Sequence, residues 1–197
     1  MAEQASHLSS RSAASDVFDA LAATYDAQEF ENPVFRWMRR RVWDRCLANF
    51  QPGSEILELN CGTGIDAAFL ANQGFRVVAT DVSDEMLSSA RRKIESLNGS
   101  ALVRVRKLDF RDLSSLSGSS FDGALSNFGG LNCVEDLQGV ASDLASLLKP
   151  GAVFVACVMP KLALWELAFG LLRADRKLLT RRLRKRRATV RGKQLTV

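Results

Sequence analysis

Histidine is nearly missing from this chain, since His7 is the only one in 197 residues. The four cysteines, Cys46, Cys61, Cys133 and Cys157, are widely spaced and none forms a CxxC pair. Both scarcities argue against zinc held by a Cys/His cluster, so no metal site is expected. The same spacing predicts free thiols in a reducing compartment. No window reaches the ~20 consecutive apolar residues of a membrane-spanning helix. Met1 to Ser15, rich in serine and alanine, lacks the apolar stretch of a secretory signal, and the expected location is the cytoplasm. Acidic charge is nearly absent from one segment: Arg173 to Lys193 holds eleven Lys/Arg and a single acid, Asp175. With a net charge of +5 overall, that segment carries +10 and the remainder −5. A mildly acidic domain with one basic stretch is not a uniformly basic nucleic-acid binder, and nucleic acid is a disfavoured partner.

What is present suffices for a packed domain, with 47% apolar and 25% charged residues. Residues 1–15 are expected to be a disordered leader and 16–50 a helical lid. Val17, Leu21 and Tyr25 recur at helical spacing, as do Phe35, Met38, Val42 and Cys46 after a break at Pro33. Gln51-Pro52-Gly53 then marks a turn. From there to residue 160 short apolar runs alternate with helical ones. Strands are expected at Glu55–Leu59, Phe75–Thr80, Leu102–Leu108, Phe121–Ser126 and Ala152–Met159. Helices are expected at Ile65–Gln73, Asp84–Leu97 (capped by Ser83) and Val134–Leu148. This order predicts an α/β fold: a doubly wound, mostly parallel, Rossmann-like sheet with helices on both faces. Residues 161–197 read as an amphipathic basic helix over Leu162–Arg187, then the start of a strand at Thr189–Val197, so the last strands of such a fold are expected to be lacking.

In an open parallel sheet, ligands bind beyond the carboxyl ends of the strands. The first strand there runs into Glu58-Leu59-Asn60-Cys61-Gly62-Thr63-Gly64. Gly62 and Gly64 permit close approach of backbone to a ligand, and Asn60 tolerates positive φ. The second strand ends at Asp81, an acid placed to accept ribose hydroxyls, although the same acid could cap the helix that follows. The third ends at Asp109-Phe110, suited to an adenine amine and ring, although Asp109 could be an ordinary loop acid. Together they describe a nucleoside pocket. Gly62-Thr63-Gly64-Ile65-Asp66-Ala67 also fits the G-x-G-x-x-A of NAD(P)-dependent oxidoreductases. Asn60 and Cys61, however, separate the strand from its first glycine, and Glu58 suits a cationic ligand better than a pyrophosphate.

The stretch from Glu58 to Gly64 resembles motif I of class I S-adenosylmethionine-dependent methyltransferases, E/D-x-G-x-G-x-G. Thr80-Asp81-Val82-Ser83 with Met86-Leu87 is similar to that family's second-strand acid and following helix. Leu147-Leu148-Lys149-Pro150-Gly151 is similar to its L-x-P-G turn, and Phe18-Asp19 to Tyr25-Asp26 to the N-terminal helix of small-molecule members, including the ubiquinone/menaquinone-biosynthesis type. The resemblance covers roughly residues 16–160. It implies S-adenosyl-L-methionine as cofactor and S-adenosyl-L-homocysteine as product. The implied holding residues are Glu58, Gly62 and Gly64 at the methionine end, Asp81 at the ribose, Asp109 and Phe110 at the adenine, Asn127 facing the methyl, and Tyr25 closing over them, with Asn60, Cys61, Val82 and Met86 as further cofactor-binding residues. Asn60 departs from the usual first glycine. Asn127-Phe128-Gly129-Gly130 differs from the Asn-Pro-Pro-Tyr of enzymes that methylate exocyclic amines of bases.

The implied reaction is in-line displacement of a sulfonium methyl by a small-molecule acceptor. No residue carries a convincing catalytic signature; Tyr25, Asn132, Glu135 and Asp136 are the polar candidates near the methyl. Residues 173–193 would face an acidic substrate or an anionic membrane surface, against the alternative of a solvated helix end. A non-catalytic or truncated cofactor-binding domain is the competing reading.

Overall fold

The computed structural model describes residues 16, 18–27, 30–134 and 136–159, together with the backbone of 187–190 and 193–196. Helix α1 covers residues 18–27, and α2 spans Pro33–Asn49. Pro33 takes the first turn of α2, and Asn32 caps it by accepting from the Val34 amide at 2.9 Å. The core follows as β1 Glu55–Glu58, α3 Ile65–Asn72, β2 Arg76–Asp81, α4 Asp84–Glu95, β3 Val103–Lys107, β4 Phe121–Ser126, α5 Leu137–Leu147 and β5 Leu148–Ala156. Ser83 caps α4 as expected, its Oγ accepting from the Met86 amide at 3.1 Å.

All five strands are parallel, in the order β3-β2-β1-β4-β5. Side chains alternate across β1, so its two faces feed two cores. Ile56 packs with Cys46, Phe50, Leu70, Leu87 and Ile94. Leu57 and Leu59 pack with Val78, Leu116, Phe121 and Leu144 on the other face. Burial on both faces is the condition for an all-parallel sheet. The chain runs from β1 out to β3 and returns on the other side with β4, so the strand order reverses between β1 and β4. Their carboxyl ends splay apart there and open a crevice.

Three expectations shift. Helix α5 begins after Asp136, whose Oδ1 accepts from the Gly139 amide at 3.0 Å, because Gly130–Cys133 first makes a 3-10 turn. Strand β5 begins at Leu148 rather than Ala152. Leu148 already pairs with Phe121, and the ladder is irregular between Phe121 and Gly123, which accommodates Pro150 without an amide to donate. At the far end, Arg187–Val190 and Lys193–Thr196 form a separate antiparallel hairpin, so the expected strand at 189–197 is not a continuation of the parallel sheet. The leader, residues 1–15, and the helix expected over Leu162–Arg187 lie outside the described residues, except that Arg187 is strand rather than helix. Among the described residues, no helix is long and apolar enough to cross a membrane.

Candidate functional site

The turn after β1 is held from beneath by β2: the Cys61 amide donates to the Thr80 carbonyl at 2.8 Å. Gly62 and Gly64 adopt φ of 53° and 78°, which disfavours any side chain. The Gly62 amide donates to Asp81 Oδ2 at 2.8 Å, and the Ser83 amide to Asp81 Oδ1 at 3.0 Å. One carboxylate thereby ties the glycine turn to the start of α4. Burial raises the Asp81 pKa, opposed by the amides of Ser83, Gly62 and Val82. A Cβ on Gly62 would meet only Met86 Sδ, at 4.0 Å, whereas one on Gly64 would lie 2.9 Å from Ala90 Cβ. Gly62 faces the crevice; Gly64 lets α3 and α4 approach each other.

Asn60 does not take the positive φ that its place in the turn suggests; among the described residues Phe128, at 51°, is the only non-glycine that does. Instead the Asn60 side chain bridges β1 to the end of β4. Its Nδ2 donates to the Asn127 carbonyl at 2.7 Å and its Oδ1 accepts from Ser126 Oγ at 2.6 Å.

A buried charge network closes the wall opposite. Arg39 of α2 pairs with Asp66 in the first turn of α3, and its guanidinium lies 4.5 Å above the Phe128 ring. Asp66 also accepts from Trp43 Nε1 at 2.6 Å and from Asn127 Nδ2 at 2.9 Å. Trp43 stacks flat on Phe69, centroids 3.9 Å apart, and Phe35 meets the Phe128 ring edge-on at 5.8 Å, so α2 docks through an ion pair, ring contacts and the buried Cys46. Beside them Glu58 is 1% exposed, and its Oε2 finds no hydrogen-bond partner. Burial, then the Asp66 charge, push its pKa well up, with Arg39 opposing. Burial holds the Cys46 thiol up at about 12 and Cys61 well above its ordinary value, so neither is a nucleophile.

These elements surround an open cleft of about 320 Å³. Of the residues expected there, Tyr25, Asn60, Cys61, Gly62, Asp81, Val82, Met86, Asp109, Phe110, Asn127 and Asn132 line it. Glu58 and Gly64 lie behind its wall, and Glu135 is outside the described residues. Asp109 is not a bare carboxylate: Arg111 grips it through Nε at 2.8 Å and Nη2 at 2.6 Å. Asn132 is likewise engaged, donating to the Met159 carbonyl and accepting from its amide at 2.8 and 2.9 Å. It pins the chain leaving β5 at the cleft rim. Tyr25 and Phe18 reach the cleft from α1. That helix is strapped by Asp19, which accepts from Ser83 Oγ at 2.5 Å, and by Asp26, which pairs with Lys93 at 2.7 Å.

Arg39, Asp66, Arg111 and Phe128 also line the cleft, and sequence reading did not find them. Arg39 and Trp43 stand four apart on α2, a spacing that puts both on one face, but nothing local shows which face meets Asp66.

Residues 56–151 match the family described as methyltransferase domain. The chain is 30% identical over 147 residues to demethylmenaquinone methyltransferase of Symbiobacterium thermophilum, covering 71% of this chain and 56% of that protein. It is 35% identical to the enzyme of the same name from Clavibacter sepedonicus, covering 73% and 56%. The chain thus spans little more than half the length of these relatives. The solved complex of DhpI with SAH is similar with a TM-score of 0.61 and 26% identity, over 75% of this chain and 69% of that one. The CcbJ methyltransferase of Streptomyces caelestis has a TM-score of 0.54 and 28% identity, over 62% and 51%.

Proposed function

Because the chain carries the methyltransferase domain of the class I, S-adenosylmethionine-dependent fold, we propose that it binds S-adenosylmethionine in this cleft and passes the methyl group to a small-molecule acceptor. One observation carries the reading: Asp81 holds the Gly62 amide at 2.8 Å, so the glycine turn and the ribose acid share one edge of one cleft. The residues fit the group. Glu58, just behind the cleft wall, keeps a buried oxygen without a partner, and Gly62 presents backbone with no side chain in the way.

When bound, the cofactor supplies a methyl on a cationic sulfur, already a good leaving group. The chain then has to orient, exclude water and hold charge. In this reading Glu58, Asn60, Cys61 and Gly62 serve the methionine end, with Gly64 setting the turn's shape. Asp81, Val82 and Met86 flank the ribose. Phe110 packs on the adenine, and Asp109 keeps an acceptor lone pair for its amine while paired to Arg111. Asn127, its side chain fixed on Asp66, presents the β4 end toward the methyl. Helix α1 acts as the lid, with Tyr25 and Phe18 on its inner side.

The cleft wall offers no histidine as a base among the described residues, and Asp66 and Asp109 are spent on arginines. Such a wall suits an acidic ring carbon, a phenol that ionises readily, or an amine that attacks through its lone pair and sheds its proton after transfer. The demethylmenaquinone in the relatives' name is one candidate of that kind. The basic stretch 173–193 would meet an acidic substrate or an anionic membrane surface. Four free cysteines support a cytoplasmic setting.

Calorimetric titration with S-adenosylmethionine, S-adenosylhomocysteine, NAD and NADP tests the site. Micromolar binding of the first two alone supports it. Binding of NAD or NADP instead, or of nothing by a folded chain, would refute it. Transfer of labelled methyl to quinone precursors then separates an enzyme from a binding domain.

A further inference from the structure

Helix α2 has two unlike sides. Its inner side carries its only fully buried residues, Arg39 and Cys46. Its outer side is exposed and of unusual composition. Val34 is 58% and Trp37 64% exposed, and with Arg41 they follow at three- and four-residue steps along one stripe. Phe30, just ahead of the helix, is 58% exposed as well. Arg40 and Arg45 lie beside that stripe and are exposed, as is Arg41 within it. Arg41 faces Asp44 at 3.9 Å; Arg40 and Arg45 have no acidic partner among the described residues. With Asp44 the only acid of the helix, these residues give the outer face +2.

We propose that the outer face of α2 is a docking surface for an anionic lipid bilayer. Tryptophan and aliphatic side chains ringed by arginine match the two layers such a surface presents: anionic headgroups, then acyl chains. A second copy of the chain does not fit, because pairing like faces would set +2 against +2. A nucleic acid would satisfy the arginines but leave Trp37, Val34 and Phe30 against phosphates. Arg39 lines the cleft from the inner side of the same helix, so docking brings the cleft within about one helix diameter, roughly 10 Å, of the headgroups. A lipid-dissolved acceptor would gain from that placement if the methyltransferase reading holds, but the docking stands independently of it.

The test is co-sedimentation of the full chain with phosphatidylcholine vesicles, with and without a one-third share of phosphatidylglycerol. Binding only to the anionic vesicles is expected, weakening with salt. Arg40→Gln/Arg45→Gln should lower affinity about twenty-five-fold, at roughly fivefold per arginine. Val34→Ser/Trp37→Ser, which leaves every charge in place, should lower it about tenfold and abolish the blue shift of tryptophan emission on docking. All four positions are exposed, and unchanged thermal unfolding verifies the fold of both variants. Equal binding by the parent and both variants would assign the attachment to residues 173–193 and overturn the proposal. So would no binding to anionic vesicles, or capture of polyglutamate in preference to them, which would make the face a site for acidic proteins. Cofactor titration of the same variants reads the cleft separately.

Discussion

The side chain of Asn60 fills the space that a Cβ on Gly130 would occupy, with its Nδ2 and Oδ1 each 2.6 Å from that position. Where motif I has glycine, this chain has a side chain that crosses the switch point, and the loop beyond β4 has a glycine to receive it. Gly130→Ala should destabilise by about 1–3 kcal/mol, the cost of overpacking a tight site. On an Asn60→Gly background the same change should cost far less. Urea unfolding of the double-mutant cycle decides it; additive costs would show that the two residues are not coupled.

Asp81 works on two amides as well as on the proposed ribose. Asp81→Asn keeps the side-chain volume and an acceptor for one of the two amides, so urea unfolding of the variant is read alongside binding. Cofactor affinity should fall by about tenfold or more, since hydrogen bonds to a charged group contribute about 1.5–3 kcal/mol. Calorimetry with an affinity equal to the parent's would remove Asp81 from the site.

Arg39 and Asp66 form a pair whose side chains are 8% and 5% exposed. Removing one partner strands the other, so Arg39→Met should cost about 3–5 kcal/mol in urea unfolding. Arg39→Met with Asp66→Asn should recover part of that loss. A single variant as stable as the parent would mean that the apolar and aromatic contacts of α2, not the ion pair, hold it in place.

Glu58 carries a pH signature. Its folded pKa is raised, so the folded chain favours the neutral acid. Its contribution to stability is fully present below its ordinary value of 4.5 and is lost as pH rises through the folded pKa. Glu58→Gln removes that dependence. The stability of the parent minus that of Glu58→Gln should therefore fall steadily from acidic to neutral pH in thermal melts. A difference that stays flat would mean that Glu58 ionises as freely in the folded chain as in the unfolded one.

Local chemistry made much of this protein legible. The glycines of the first turn, Ser83 as a helix cap and the alternation of apolar strands with amphipathic helices each act over a few residues. They predict the parallel sheet and the order Gly62, Asp81, Asp109 along its carboxyl edge. Boundaries slipped where a distant partner sets them: β5 reaches back to Leu148 because Phe121 is there to pair with it.

The sequence by itself determined the α/β alternation, the glycine turn and the acids at the strand ends, because backbone conformation and hydrophobic period are local properties. Only the tertiary structure decided what those acids touch. Arg111 takes up Asp109, Met159 takes up Asn132, and Arg39 crosses from α2 to Asp66 while Glu58 keeps an oxygen unpaired. Each of these is a choice among several polar groups brought together by packing, and electrostatic pairing in a buried site depends on distance and burial, which spacing along the chain does not encode.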